Sequence, residues 1–553
     1  MARTSHRPAA RPAGATAPGT VRDAAFDVLR EHGLTTLFAN PGSTEVPLLA
    51  GLPADLRFVL ALHEGSVVGL ATGWAIGAGR PAFALLHTTA GLGNAVGALA
   101  TARVNRAPLV VVVGQQDRRH LALEPFLTGR LEGLAGDYPV WVHAPARAQD
   151  VPGAIARAHH EAATHRGPAI VVVPMDDWLQ PAGDPAERAA PARVLAAAEA
   201  GEGPVEELAA LLGAARTPAL VVGAGADTPD GWAALVALAE RLRCPVWQEA
   251  FGARAGFPQD HPQFAGHLPA DRARLREVLG GHDVVIAVGA PVFRLYPFVP
   301  GPLVGPGTRV AVITDDAAEA HRSPADLAVL APPAAVCRRL ADRLDARAAP
   351  DGAAPPRPGA VAPQPPGPGE PLRARHVFAA LAARLPADAV VVEETPSSRP
   401  ELHAHLPARA PLGFLSAAMG GLGFALPGAT GVRMACPERP VVALVGDGSA
   451  LYAIQALWSA ARYRVGVLFV VLSNGRYAIM DRLAERQGAD GPWPAFDEVD
   501  VGALARGLGC PARRVAGHDE LVQVLDEVVP GLARRDEPLV LDVAVEADST
   551  FAG

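Results

Sequence analysis

Asp447 stands between two glycines in Val441–Asn474, which reads VVALVGDGSALYAIQALWSAARYRVGVLFVVLSN. Gly446 and Gly448 let backbone N–H groups come close to an anion, and a helix starting there points its positive end at the same place. Asp447 adds a hard carboxylate oxygen, and Asn474, 27 residues later, adds an amide oxygen. Two oxygen ligands beside a phosphate cradle suit Mg²⁺, which keeps waters and takes phosphate oxygens to complete six-coordination. Gly-Asp-Gly alone is equally readable as a strand–turn–helix with a capping aspartate. Asn474, at the end of a second apolar run, favours the anion-and-metal reading.

The elements needed to hold these groups are legible around them. Val441–Val445 and Val467–Leu472 are strand-like, and the segment between them carries Leu451, Ile454, Leu457 and Trp458 at helical spacing. Strand, glycine turn, helix and strand make a parallel βαβ unit, with the turn at the carboxyl end of its first strand, where such sheets bind ligands. The same alternation begins at Val21–Arg30, a helix, and continues through strands at Thr36–Ala39, Phe58–Leu62, Ala82–Leu86, Pro108–Val113 and Ala169–Val173. It resumes with Pro218–Val222, Val284–Val288 and Arg309–Thr314. Apolar strands separated by helices imply parallel sheets covered on both faces. The expected organisation is a tail over 1–20, a first domain over 21–185, a central domain over 203–345, a Pro/Ala/Gly-rich linker over 346–372 and a third domain over 373–550. Blocks one and three have the same grammar without a fixed-period repeat. Gly223-Ala224-Gly225 imitates a dinucleotide fingerprint, but its third glycine is missing and Asp227 ends the turn.

At 553 residues the chain exceeds a single core. With 50% hydrophobic and 19% charged residues it reads as globular, not disordered. A net charge of −8 gives no electrostatic reason to expect nucleic acid or an anionic membrane as partner. All 49 cationic side chains are arginine, which excludes Schiff-base chemistry, pyridoxal-phosphate anchoring and a P-loop lysine. Cys244, Cys337, Cys436 and Cys510 show no CxxC pairing and suit reduced thiols in the cytoplasm. No apolar run is long enough for a membrane span, and the first twenty residues lack a hydrophobic signal core.

GDGS followed by LSNG resembles the diphosphate and Mg²⁺ motif of thiamin-diphosphate enzymes. The resemblance implies Asp447, Asn474 and the backbone carbonyl of Arg476 as metal ligands, with Gly446, Gly448 and Ser449 at the diphosphate; Ser473 replaces the usual first asparagine. It implies three α/β doubly wound parallel-sheet domains: pyrimidine-binding, central and diphosphate-binding. Glu64, in ALHEGSVVGLATGWA, taken alone is an acid complementing a helix dipole. By resemblance it is the glutamate that hydrogen-bonds the aminopyrimidine and drives the cofactor towards its ylide. NPGSTEVP at Asn40–Pro47, LHTTAGLGN at Leu86–Asn94, GAPVFR at Gly289–Arg294 and GGLGFALP at Gly420–Pro427 look like benzoylformate decarboxylases. That similarity implies Ser43 as the group binding the substrate carboxylate, His87 as the proton-transfer group and Leu422 as the residue wedged beneath the cofactor. Without it, Ser43 reads as a turn or cap serine and His87 as a strand-end histidine.

The pattern also departs from that family. Tyr296 stands where those enzymes carry a second catalytic histidine, and Ile479 and Leu483 replace pocket residues. The expectation is thiamin-diphosphate- and Mg²⁺-dependent, non-oxidative decarboxylation of a benzoylformate-like 2-keto acid to an aldehyde and CO₂. A carboligase of acyloin or acetolactate type is the alternative, because slower protonation by a phenol would leave time for attack on an aldehyde. Further from it stand a cofactor-binding relative that does not decarboxylate, with FAD or a nucleotide in the central domain, and a nicotinamide dehydrogenase. In families of this type the glutamate and the Gly-Asp-Gly turn meet between subunits, which implies a homodimer at least and a homotetramer as the assembly.

Overall fold

Eighteen parallel strands are divided equally among three sheets in this computed structural model, which describes residues 19–184, 194, 199–347, 364–367 and 369–547. Most of the expected tail lies outside the described residues, as do 185–193 and 195–198, around the boundary between the first and central domains, and 348–363 and 368 of the linker. The first sheet comprises β1 (Thr36–Asn40), β2 (Arg57–Leu60), β3 (Ala82–His87), β4 (Leu109–Gln115), β5 (Trp141–His143) and β6 (Pro168–Pro174). Its strand order is β2-β1-β3-β4-β6-β5. The central sheet comprises β7 (Pro218–Val222), β8 (Val246–Gln248), β9 (Phe264–His267), β10 (Val284–Val288), β11 (Arg309–Thr314) and β12 (Leu327–Leu330), in the order β12-β11-β10-β7-β8-β9. The third comprises β13 (Val390–Glu394), β14 (Phe414–Ser416), β15 (Val441–Gly446), β16 (Leu468–Ser473), β17 (Ala512–Val515) and β18 (Leu539–Ala544), in the order β14-β13-β15-β16-β18-β17.

Alternate residues of one strand enter different cores. Phe83, Leu85, Val110 and Val112 pack on one face of the first sheet, and Ala84, Leu86, Val111 and Val113 on the other. In the third sheet Val442 and Leu444 face one core, Ala443 and Val445 the second. The side-chain period of two therefore needs an apolar residue at every position, which explains the unbroken apolar runs.

The segment after β15 differs from the single helix expected. It forms a four-residue helix, Asp447–Ala450, and a second helix, Ala456–Arg462. Tyr452 and Ala453 between them, and Ala456, Leu457 and Trp458 at the start of the second, donate three residues back, to Ser449, Ala450, Ala453, Ile454 and Gln455. The chain between the two helices thus runs through turns, where a Cβ on Gly423 would lie 3.2 Å from the Tyr452 Cβ.

Candidate active site

Asp447 lies at the carboxyl tip of β15 and is 6% exposed. Its Oδ1 accepts from the Gly448 N–H at 2.8 Å, and its Oδ2 from Asn474 N–H at 2.8 Å and Gly475 N–H at 2.7 Å. Burial raises its carboxyl above the usual range, and the three N–H donors oppose that shift. Asn474 Oδ1 accepts from the Arg476 N–H at 3.1 Å. Three bonds on four carboxylate positions, and one on an amide oxygen with two lone pairs, leave each side chain free to give a hard cation one oxygen. Among the described residues no group of three His, Cys, Asp or Glu could hold a metal. A cation here would complete its shell with phosphate, water and the Arg476 carbonyl, so the donor chemistry fits Mg²⁺. Ser473 instead donates to Asp542 on β18 at 2.6 Å, which ties the neighbouring strand ends together. Gly448 is required sterically: a Cβ there would lie 2.7 Å from the Tyr477 ring. Ser449 is buried in the same short helix, and Gly446 caps it.

Glu64 is the first residue of the helix Glu64–Ala78, after β2, with His63 as N-cap accepting from the Gly65 N–H. It is 8% exposed. Asn40 Nδ2, at the end of β1, donates to Oε1 and Asn94 Nδ2 donates to Oε2, each at 3.0 Å. No ion pair to Glu64 occurs among the described residues, so its remaining acceptor capacity stays open to a ligand nitrogen. His87 ends β3, and Thr88 starts the helix Thr88–Val104 at φ 36°, a strained conformation for a β-branched residue. His87 Nδ1 lies 2.9 Å from Glu45 Oε2 and 3.0 Å from Thr44 Oγ1. Ser43 is exposed in the turn Ser43–Glu45, one residue from Thr44. The structure therefore assembles Ser43, Glu64 and His87 at the carboxyl ends of β1, β2 and β3. Among the described residues no hydrogen bond joins this group to the Asp447 group.

Leu422 belongs to the loop between β14 and the helix Ala425–Ala435. Buried Glu394, at the end of β13, accepts the N–H groups of Gly423, Phe424 and Ala425 at 2.6–2.8 Å. Burial pushes that carboxyl up to about 7 against the pull of these donors. The loop borders a cleft of about 1820 Å³ between the central and third domains, which also receives Arg294, Tyr296, Ile479 and Leu483. Tyr296, on this cleft's central-domain wall, is 62% exposed. His267 and His403, from the central and third domains, stack in its wall with ring centroids 3.7 Å apart. Burial pushes His403 down to about 3 and His267 well below the imidazole range, so neither is a proton donor near neutrality.

The Gly-Asp-Gly turn with Asn474 points to Asp447 from residue types and spacing, whereas Glu64 and His87 are singled out by the family resemblance. Asn40 and Asn94, which hold Glu64, Glu45, which faces His87, and Glu394, which holds the Leu422 loop, carry no such signal, although Asn40 and Glu45 lie within the NPGSTEVP stretch. Contact between strand ends is the information that one sequence does not carry.

The family models for thiamine pyrophosphate enzymes match in three places: the N-terminal TPP-binding domain at 19–134, the central domain at 205–340 and the C-terminal TPP-binding domain at 397–543. Benzoylformate decarboxylase of Pseudomonas aeruginosa is 40% identical over 530 residues, covering 95% of this chain and 99% of that protein. The solved thiamine diphosphate-dependent 4-hydroxybenzoylformate decarboxylase of Rhodococcus jostii RHA1 superposes with a TM-score of 0.90 at 36% identity, covering 96% of this chain and all of that one. An acetolactate synthase large subunit of Parasynechococcus marenigrum is 28% identical over 567 residues, covering 93% of this chain and 87% of that protein. With all three domains matched in order, the chain belongs to the thiamin-diphosphate-dependent 2-keto acid decarboxylase family, alongside benzoylformate decarboxylase.

Proposed function

We propose that this protein decarboxylates a small, benzoylformate-like 2-keto acid without oxidation, using thiamin diphosphate and Mg²⁺, and releases an aldehyde and CO₂. The observation that carries the reading is Glu64, a nearly buried carboxylate whose two oxygens are held by neutral carboxamides and, among the described residues, by no cation. Thiamin diphosphate, when bound, supplies the electron sink for the bond to CO₂. Glu64 would hold a proton at the ring nitrogen of the aminopyrimidine. Asp447 and Asn474, with the Arg476 carbonyl, would hold Mg²⁺ against the diphosphate, which Gly446, Gly448 and Ser449 would border. Leu422 would support the cofactor from below, Ser43 would bind the substrate carboxylate, and His87 would move the proton at the substrate oxygen. In families of this type the glutamate and the Gly-Asp-Gly turn meet between subunits, so by that resemblance the active unit is a homodimer at least, with a homotetramer as the proposed assembly. Four free thiols, three of them buried, support work in a reducing cytoplasm.

The test is reconstitution. Protein stripped of both cofactors should regain keto-acid decarboxylation only when thiamin diphosphate and Mg²⁺ are both added. Glu64→Gln should lower turnover by roughly 10²–10⁴-fold while still binding the cofactor. Full activity in Glu64→Gln would overturn the assignment.

Tyr296 favours a second reading. A phenol is a weak proton donor at neutral pH, and the histidines lining the same cleft are held neutral. Carboligation of the bound fragment to an added aldehyde is the competing outcome. Product analysis with one keto acid, with and without aldehyde, separates the two.

A further inference from the structure

Glu45 is 1% exposed, deeper than any group proposed above to touch substrate. Its Oε2 accepts the Gly42 N–H at 2.8 Å and faces His87 Nδ1 at 2.9 Å, while its Oε1 accepts the Thr44 hydroxyl at 2.5 Å. Two glycines make room for the arrangement. A Cβ on Gly114 would lie 1.7 Å from Glu45 Oε1, and one on Gly42 would lie 2.5 Å from the His87 ring. Among the described residues His87 is the only basic side chain paired with Glu45.

The proton count follows from these contacts. Thr44 gives its hydroxyl proton to Glu45, so both the Thr44 oxygen and Glu45 Oε2 face His87 Nδ1 as acceptors. A bare nitrogen opposite two acceptors would be repelled, so Nδ1 must carry the hydrogen. Nε2 is then the nitrogen left to exchange protons. Glu64, the other carboxylate on this edge of the sheet, has its oxygens engaged by Asn40 and Asn94 and does not compete for the ring.

We propose that Glu45 is a positioning residue: it fixes His87 as the Nδ1–H tautomer, with Nε2 free to take and return a proton at the substrate. This rests on His87 being the proton-transfer group. In Glu45→Gln one amide oxygen must still accept the Gly42 N–H, which turns the amide N–H₂ towards the Thr44 oxygen. The Thr44 proton is thereby released to His87 Nδ1, and the Nε2–H tautomer becomes populated.

The experiment is ¹⁵N-histidine NMR of the cofactor-loaded enzyme, with the His87 signal assigned by its loss in His87→Ala, alongside turnover of each variant. Wild type should show the Nδ1–H tautomer alone. Glu45→Gln should show a mixture and turn over more slowly, by up to roughly 10⁴-fold, the loss expected when a catalytic histidine is left in the wrong tautomer, with thiamin diphosphate affinity unchanged. Thr44→Val, which keeps Glu45, should retain Nδ1–H. A wild-type Nε2–H tautomer would overturn the proposal whether or not Glu45→Gln folds. So would wild-type turnover in Glu45→Gln while His87→Ala is impaired. Full turnover in His87→Ala would instead remove the catalytic reading of His87, and the spectrum would still decide what holds the ring.

Discussion

Gly223 and Gly225 stand where a glycine turn would approach a dinucleotide phosphate, and the chain fills that place itself. A Cβ on Gly223 would lie 2.5 Å from Glu249 Oε1 and 2.8 Å from Ala290, and one on Gly225 would lie 2.8 Å from the Gly289 Cα. The central sheet has the strand order of dinucleotide-binding folds, yet its crevice between β7 and β10 holds a carboxylate and a backbone turn. The missing third glycine was readable from the sequence, but Glu249 was not, because its meeting with Gly223 is made by the packing of β7 beside β8. Glu249 is 4% exposed, and its Oε2 has no hydrogen-bond partner among the described residues. Burial pushes its carboxyl from 4.5 up to about 7, with Glu319 adding to the shift and Arg294 and Arg322 opposing it. An acid whose folded pKa is raised stabilises the fold least when ionised, so stability falls as pH rises from about 4.5 to about 7, by about 1.4 kcal/mol per unit. Glu249→Gln should therefore melt like wild type near pH 4.5 and several degrees higher at pH 8. A difference independent of pH would mean that the folded protein already holds Glu249 ionised at the lower pH.

The helix Glu64–Ala78 places Glu64 by crossing the helix Ala425–Ala435 of the third domain at glycines. A Cβ on Gly73 would lie 2.0 Å from the Gly428 carbonyl oxygen, and one on Gly431 would lie 2.0 Å from that of Leu70. Nearly every residue from Glu64 to Ala75 is buried, as expected of a helix packed between domains. Backbone cannot give way as a side chain can, so Gly73→Ala must separate the helices. A loss of about 1–3 kcal/mol is expected, read as a lower melting temperature. Gly153→Ala, in the helix Val151–His165 with no atom near its Cβ, should instead raise stability by about 0.4–1 kcal/mol. Equal effects of the two would refute the close-crossing argument. At this scale apolar periodicity was a good guide: Val284–Val288 and Arg309–Thr314 are strands over the expected residues. The four-residue spacing of Gly69, Gly73 and Gly77 was visible as well. What it served was not, since its partner helix lies about 350 residues further along the chain, in another domain.

The first and third sheets share one strand order although no repeat survives in the sequence. Burial on both faces constrains only the apolar character of each strand, so many sequences satisfy the same topology. Between them runs the loop that carries Leu422, and each domain contributes a side chain to it. Asn105, after the helix that His87 precedes, donates from Nδ2 to the Ser416 carbonyl and accepts at Oδ1 from the Ala418 N–H, both at 2.9 Å. Arg294 of the central domain donates to the Ala418 carbonyl at 3.2 Å, and Glu394 of the third takes the three N–H groups after Leu422. Asn105 is fully enclosed, so Asn105→Leu would leave a buried N–H and a buried C=O unpaired, at about 1–3 kcal/mol each. If that free energy is what keeps the loop in its cofactor-supporting shape, thiamin diphosphate should bind roughly ten- to hundredfold more weakly, measured by fluorescence titration in the presence of Mg²⁺. Turnover at saturating cofactor should fall much less, because Ser43, Glu64 and His87 sit on strand ends that the substitution does not touch. A lower melting temperature with unchanged cofactor affinity would show that Asn105 joins the domains without shaping the loop.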